Sequence, residues 1–225
     1  RQHFRTAEVL TRLARLIVRV VARGGVVVIP AYAAGPAQQV LRALQQLKRH
    51  QRIPDLPVCL NSAMAERVCA LYAQQADGHW LSADECTDLL VGVTTVDTTV
   101  DTEQPSADLP RLETPGVLIA VEGEAHGWRM AQHLKTYATD PRNAFAFAGH
   151  QGSGSRGADL LAGATQIKVN GERIPVRAEV CALDALSGHA DQEALLDWTL
   201  ALPRAPQQVY LMHGEPEAAD SLRQA

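Results

Sequence analysis

Apolar residues recur at three- and four-residue spacing across residues 6–23, at Val9, Leu13, Leu16, Ile17, Val20 and Val21. That period marks one buried face of a helix. Gly24-Gly25 stops the pattern, as a residue free to adopt positive φ does at a helix end. Val26-Val-Val-Ile29 follows with no polar interruption. A continuous apolar run of this kind suits a strand covered on both faces, hence a parallel sheet. Pro30 to Pro36 reads as a small-residue loop, Ala37 to about His50 as a second helix, Pro57-Val-Cys-Leu60 as a second buried strand, and Met64 to about Gln75 as a third helix.

From Thr94 to Pro115 the rhythm breaks into a polar stretch that reads as a surface excursion. It resumes with a strand at Gly116–Val121, a helix around Trp128–Tyr137 and a strand at Ala144–Ala148. Gln166–Val169, the Asn170-Gly171 pair, and Glu172 to Leu183 read as a hairpin, because Asn-Gly favours the type I′ turn. Asp191–Leu202 is a predicted helix with Leu195, Trp198, Thr199 and Leu202 turned inward, and Val209–Met212 a predicted last strand. The strand–loop–helix alternation predicts an α/β fold, a layered and mostly parallel sheet with helices on both faces.

Composition narrows the function more than the fold. The chain has 225 residues and a formal net charge of −4, so no global basic field draws it to nucleic acid or membrane. Any polyanion must be met by local sites. Arg12, Arg15, Arg19 and Arg23 read as a solvated helix face rather than an RNA patch. The four cysteines show no Cys-x-x-Cys spacing and read as buried free thiols in a reducing cytoplasm. No apolar run approaches the ~20 residues that cross a bilayer. Both ends look like cuts within a longer protein, since the chain closes inside the helical pattern of Glu217–Ala225.

Candidate chemistry gathers near the C-terminus. His189 lies in Leu186-Ser-Gly-His-Ala-Asp191 and His213 in Tyr210-Leu-Met-His-Gly-Glu215. Each follows a strand-like run, and one amphipathic helix separates them. Sites of open α/β sheets form at the carboxyl ends of strands, where imidazole can serve as metal ligand, proton carrier or phosphate contact. Asp191 fits the N-cap of the helix after His189. A phosphate docked at that helix start would meet backbone amides and imidazole together; the alternative is a histidine bonded to its own turn. Gly214 lets the backbone turn after His213, and Glu215 could orient the ring; the alternative is a buried histidine satisfied by backbone. The other histidines read mostly as surface or structural. The loops Ala31–Pro36, Asn61–Met64, Glu122–Gly127 and His150–Gly157 each follow a strand. Together they could line one rim, or be ordinary strand–helix turns.

Taken in order, these motifs resemble the metallo-β-lactamase-fold ribonucleases that carry a β-CASP domain. The residues that carry the resemblance are Arg1-Gln-His3, Gly24-Gly-Val-Val-Val-Ile-Pro-Ala-Tyr-Ala-Ala-Gly35, Leu60-Asn-Ser-Ala-Met-Ala65, Asp140-Pro-Arg-Asn143, Ile174–Val180, Ser187-Gly-His-Ala-Asp191 and His213-Gly-Glu215. The resemblance implies a β-CASP domain over residues 1–183 and a C-terminal piece of the αββα lactamase fold over residues 184–225. It implies that His213 is a ligand to one of two zinc ions and that His189 is catalytic, contacting the scissile phosphate. Ser62 and Ser155 are expected at the substrate, with Asp191 and Glu215 in supporting positions. RNA is the expected partner, with no membrane. Dimers occur among relatives of this kind, so the resemblance leaves a homodimer open while the sequence itself does not give the oligomeric state.

The sequence departs from the family pattern at Pro36, where arginine is usual, and at Asn61, where aspartate is usual. It also carries Glu122-Gly-Glu124 in a loop expected near phosphates, where carboxylates repel RNA. The family's His-x-His-x-Asp-His cluster is absent from these residues, so the chain is expected to be inactive in isolation. Two functions stand side by side: part of a zinc-dependent RNA hydrolase, or a non-catalytic β-CASP scaffold of an RNA-processing complex. A generic α/β small-molecule binder is a weaker third reading, in which His189 and His213 would lie apart.

Overall fold

The computed structural model describes residues 6–75, 78–79, 81–96, 112, 115–121, 127–183, 190–212 and 214–225. Its main strands are β1 (Val26–Ala31), β2 (Val58–Asn61), β3 (Val93–Thr95), β4 (Gly116–Val121), β5 (Ala144–Phe147) and β8 (Glu179–Ala182). They form one sheet in the order β3-β2-β4-β1-β5-β8. Every neighbouring pair is parallel, so all six strands deliver their carboxyl ends to one edge. A separate antiparallel hairpin joins β6 (Gln166–Val169) to β7 (Glu172–Pro175).

Side-chain alternation builds the two layers. Val27 and Ile29 of β1, Val117 and Ile119 of β4, and Ala144 and Ala146 of β5 face α1 (Thr6–Ala22), α2 (Pro36–Arg49) and α3 (Ala63–Gln74). Val28, Leu118, Phe145 and Phe147 point the other way, into α5 (Trp128–Tyr137), α6 (Arg156–Leu161) and the hairpin. A short α4 (Ala83–Asp88) packs beside α2 and α3. Central strands apolar on both faces are what a helix-covered parallel sheet demands.

The Gly-Gly stop works as the sequence suggests. Gly24 has φ +77°, and the Gly25 N–H returns to the Val20 carbonyl at 2.9 Å. Gly25 has a second reason to be glycine: a Cβ there would lie 1.8 Å from the Arg142 carbonyl oxygen. Asn143 completes this corner. Its Oδ1 accepts the Val26 N–H at 2.9 Å and its Nδ2 donates to the Tyr137 carbonyl at 3.1 Å, both buried. One amide thus satisfies the start of β1 and the end of α5. The arginines lie where expected: Arg12, Arg15 and Arg19 are exposed, and Arg19 and Arg23 grip Glu179 of β8.

Several boundaries moved. β1 continues through Pro30, which cannot donate to the ladder but whose carbonyl accepts the Ala148 N–H at 3.3 Å. The long second arm expected after Asn170-Gly171 divides. The turn itself has positive φ at both residues, +50° and +87°, as type I′ requires. Past Pro175, however, Arg177 and Ala178 both donate to the Ala138 carbonyl, and residues 179–182 join the main sheet beside β5.

Two C-terminal expectations fail. Leu195, Trp198 and Leu202 do not face inward, and α7 (Gln192–Leu200) has no buried residue, with Trp198 68% exposed. Val209–Met212 is not a strand, and Tyr210 is 75% exposed. A strand needs a neighbour to hydrogen-bond with, and none of the described residues runs alongside. α8 (Pro216–Gln224) ends the chain, also without a buried residue. All four cysteines are free, three of them buried, and no described helix is long and apolar enough to cross a membrane.

Candidate active site at the carboxyl edge of the sheet

Three sets of polar contacts shape the loops after β1, β2 and β5 at the carboxyl edge. Gln38, on the buried face of α2, is the first. Its Oε1 accepts the Gly35 N–H at 2.8 Å, and its Nε2 donates to the Ala33 carbonyl at 3.0 Å and the Ala65 carbonyl at 3.2 Å. The loop after β1 is thereby fastened to the first turn of α3. Gly35 adopts φ +87° to make the turn, a conformation that disfavours any side chain.

Ser62 and Ser155, the two residues expected at the substrate, are N-caps. Ser62 Oγ accepts the Ala65 N–H at 3.1 Å, and Ser155 Oγ accepts the Ala158 N–H at 3.0 Å. Both are buried. Each cap uses an acceptor lone pair and leaves the hydroxyl hydrogen outside the cap bond. Asp191 also caps as expected, accepting the Ala194 N–H at 3.0 Å at the start of α7.

The third set ties the C-terminal segment to the loop after β5. Glu215 Oε1 accepts the Ser153 N–H at 3.3 Å and lies 3.6 Å from His150 Nε2. Behind this loop, Gln151 donates to the His150 carbonyl at 3.1 Å. A Cβ on Gly157 would fall 1.8 Å from Gln151 Oε1, so a larger residue there would displace the Gln151 side chain.

Next to Ser62, Asn61 Nδ2 lies 2.9 Å from His133 Nε2 on α5. Burial holds the His133 pKa down to about 4, so the ring is neutral. Burial pushes the Cys59 and Cys181 thiols up to about 11, so neither offers a thiolate nucleophile near neutral pH.

His189 and His213 lie outside the described residues, as do Arg1–His3 and the Glu122–Glu124 loop. Among the described residues no three His, Cys, Asp or Glu side chains gather to hold a metal ion. Asp191 is committed to a cap, and Glu215 to a backbone amide. The described donors by themselves therefore do not fit a metal centre.

In the sequence Gln38 carries no assigned role, and His133 and His150 are among the histidines that read mostly as surface or structural. For Gln38 a signal existed: it is a polar residue inside the apolar stripe of Ala37, Leu41 and Leu44. His133 likewise falls within the stripe of Met130, Ala131, Leu134 and Tyr137. His150 stands only as the first residue of a loop that could line the rim, and its partner is 65 positions away.

A family model described as the Beta-Casp domain matches residues 37–160 of this chain. The chain belongs to the β-CASP family. A second model, the Zn-dependent metallo-hydrolase RNA specificity domain, matches residues 173–225. This β-CASP chain is 34% identical over 224 residues to Ribonuclease TTHA0252 of Thermus thermophilus, covering 96% of the chain and 49% of that relative. It is 27% identical over 229 residues to the transcription termination factor FttA of Methanosarcina mazei, covering 93% and 34%. An RNase J-like protein of Methanocaldococcus jannaschii is 25% identical over 192 residues, with 85% and 44% covered. The chain thus spans half or less of the length of these relatives.

Proposed function

We propose that this chain is the β-CASP domain (residues 1–183) and the C-terminal part of the lactamase domain (residues 184–225) of a zinc-dependent RNA hydrolase acting in RNA processing or decay. The observation that carries the reading is the seat of Glu215. Its carboxylate accepts the Ser153 N–H in the loop after β5, at the edge where the capped starts of α3 and α6 also open. That edge is where ligands of parallel sheets bind, and helix starts favour anions such as phosphates. Relatives named as a ribonuclease and a termination factor support RNA as the substrate class.

In this proposal His189 acts at the scissile phosphate and Asp191 holds the turn that carries it. His213 is one ligand to zinc. Hydrolytic zinc sites use about three protein ligands, so His213 would be a member of a set. Ser62 and Ser155 would meet substrate from their N-cap positions. A non-catalytic scaffold is the second reading, favoured by the Glu122-Gly-Glu124 carboxylates.

The direct test is incubation of the 225-residue chain with labelled single-stranded RNA and zinc. Binding without cleavage is expected. Cleavage that disappears in His189→Ala would overturn the expectation of inactivity, and absence of binding would count against RNA. In a protein carrying the full lactamase domain, His213→Ala should lower zinc content by elemental analysis; unchanged content removes its ligand role.

A further inference from the structure

Asn61 and His133 meet at the end of β2, 72 positions apart in sequence and each about 1% exposed. Asn61 is the last residue of its strand and shares the face of Cys59, the face that α5 covers. His133 sits among the residues that anchor α5 to the sheet, and its ring stacks on Tyr137 with centroids 6.1 Å apart. The Tyr137 hydroxyl in turn accepts the Leu112 N–H at 3.0 Å. The contact therefore joins the turn that carries Ser62 to the helix on the opposite wall of the edge.

With Asn61 Nδ2 facing the ring, the contact admits one tautomer. An amide nitrogen only donates, so a 2.9 Å approach to Nε2 requires that ring nitrogen to carry no hydrogen. The ring hydrogen is then on Nδ1. Asn61 Oδ1 is buried and has no hydrogen-bond partner among the described residues. Rotating the amide would turn Oδ1 toward a protonated Nε2 and leave both amide hydrogens buried without acceptors. As placed, Oδ1 and one amide hydrogen lack partners among the described residues, and rotated, both amide hydrogens would; the structure has Nδ2 toward the ring. An apolar pair of the same shape would fill this space with no orphaned atom. What the polar pair adds is direction, since only one mutual orientation of strand end and helix makes the bond.

The start of α5 is where direction matters. Its N-cap is Gly127, which supplies no side-chain cap. Four N–H groups at a helix start have no partner within the helix, so those of α5 depend on what meets them at the edge.

We propose that Asn61 and His133 are a positioning pair, in which the amide holds Nε2 as an acceptor and thereby sets where the start of α5 stands relative to Ser62. The role at the edge rests on the RNA-hydrolase reading; the pair itself does not. A carboxylate at position 61, usual in the resembled family, would draw a proton onto Nε2 and replace this neutral bond with an ion pair.

The test uses the 225-residue chain and three readouts. Long-range proton–nitrogen NMR of His133 at neutral pH should report the Nδ1–H tautomer; the Nε2–H tautomer or an imidazolium overturns the pair. In Asn61→Asp the same ring should become an imidazolium at neutral pH, and an unchanged neutral ring also overturns it. Amide hydrogen exchange then tests positioning. His133→Leu should speed exchange in residues 131–134 at least tenfold, whereas His133→Gln, whose carbonyl can accept from Asn61, should stay within threefold of the parent. Equal exchange in both variants refutes the positioning role. If either variant unfolds, the tautomer measurement on the parent chain still decides. Affinity for fluorescein-labelled single-stranded RNA should fall about tenfold in His133→Leu and recover in His133→Gln. A parent chain that binds no RNA would sink the RNA reading alone, and the first two readouts would still judge the pair.

Discussion

His133 should make the folded chain acid-sensitive in a window where most groups do not titrate. Its folded pKa is depressed to about 4 by burial, while an imidazole in the unfolded chain ionises near 6.5. Between these values the unfolded chain binds more protons, so stability is full above pH 6.5 and falls as the solution is acidified. The limiting slope is about 1.4 kcal/mol per pH unit. Integrated from neutrality, the loss is about 2 kcal/mol by pH 5 and about 3 kcal/mol by pH 4. Protonation would also set Nε2–H against the Asn61 amide hydrogens, two donors facing each other. Carboxylates titrate near the lower end, so the informative quantity is a difference. His133→Gln keeps an acceptor for Asn61 and removes the titration. Urea unfolding of both proteins at pH 7, 6, 5.5 and 5 should show the parent losing about 2 kcal/mol relative to the variant. A gap constant within about 0.5 kcal/mol, near the scatter of such extrapolations, would refute the assignment of His133 as a buried neutral imidazole.

Two further outcomes test the packing and the edge. Asn143→Ala strands the Val26 N–H and the Tyr137 carbonyl in the interior, at a cost of about 2 kcal/mol or more; thermal denaturation should show a fall of roughly 4–8 °C for a chain of this size, and a fall below about 2 °C would mean that water replaces the amide. Ser62→Ala should cost about 1 kcal/mol as a lost N-cap, and Ser62→Asp should restore it because aspartate caps equally well. If substrate phosphate passes this position, Ser62→Asp should nonetheless weaken RNA binding, and unchanged affinity by fluorescence anisotropy would take Ser62 out of the substrate path.

The sequence carried the layers of this fold well. Val26–Ile29 and Gly116–Val121 could be assigned because strands buried on both faces need unbroken apolar runs, and Gly24-Gly25 because a helix end needs positive φ. Short elements were illegible: β3 has three residues and α6 six, too few for a period to show. The split after Pro175 was hidden because its cause is a carbonyl at Ala138, distant in sequence. At the C-terminus the pattern of Leu195 and Trp198 spoke truly of an apolar face, yet that face has no cover among the described residues.

For the candidate site the division is similar. Sequence alone determined the family, because it is written in an order of short motifs, and it determined the cap at Asp191, because capping needs only a local oxygen; that Ser62 and Ser155 are caps came only with the structure. Tertiary structure alone decided that Gln38 fastens two loops, that Asn143 closes the start of β1, that Glu215 sits on the loop after β5, and that Asn61 meets His133. Each of these bonds joins residues from 27 to 117 positions apart. The physical reason is that a local motif specifies the backbone around it, whereas a buried polar atom is satisfied by whatever the folded sheet brings within 3 Å or so of it.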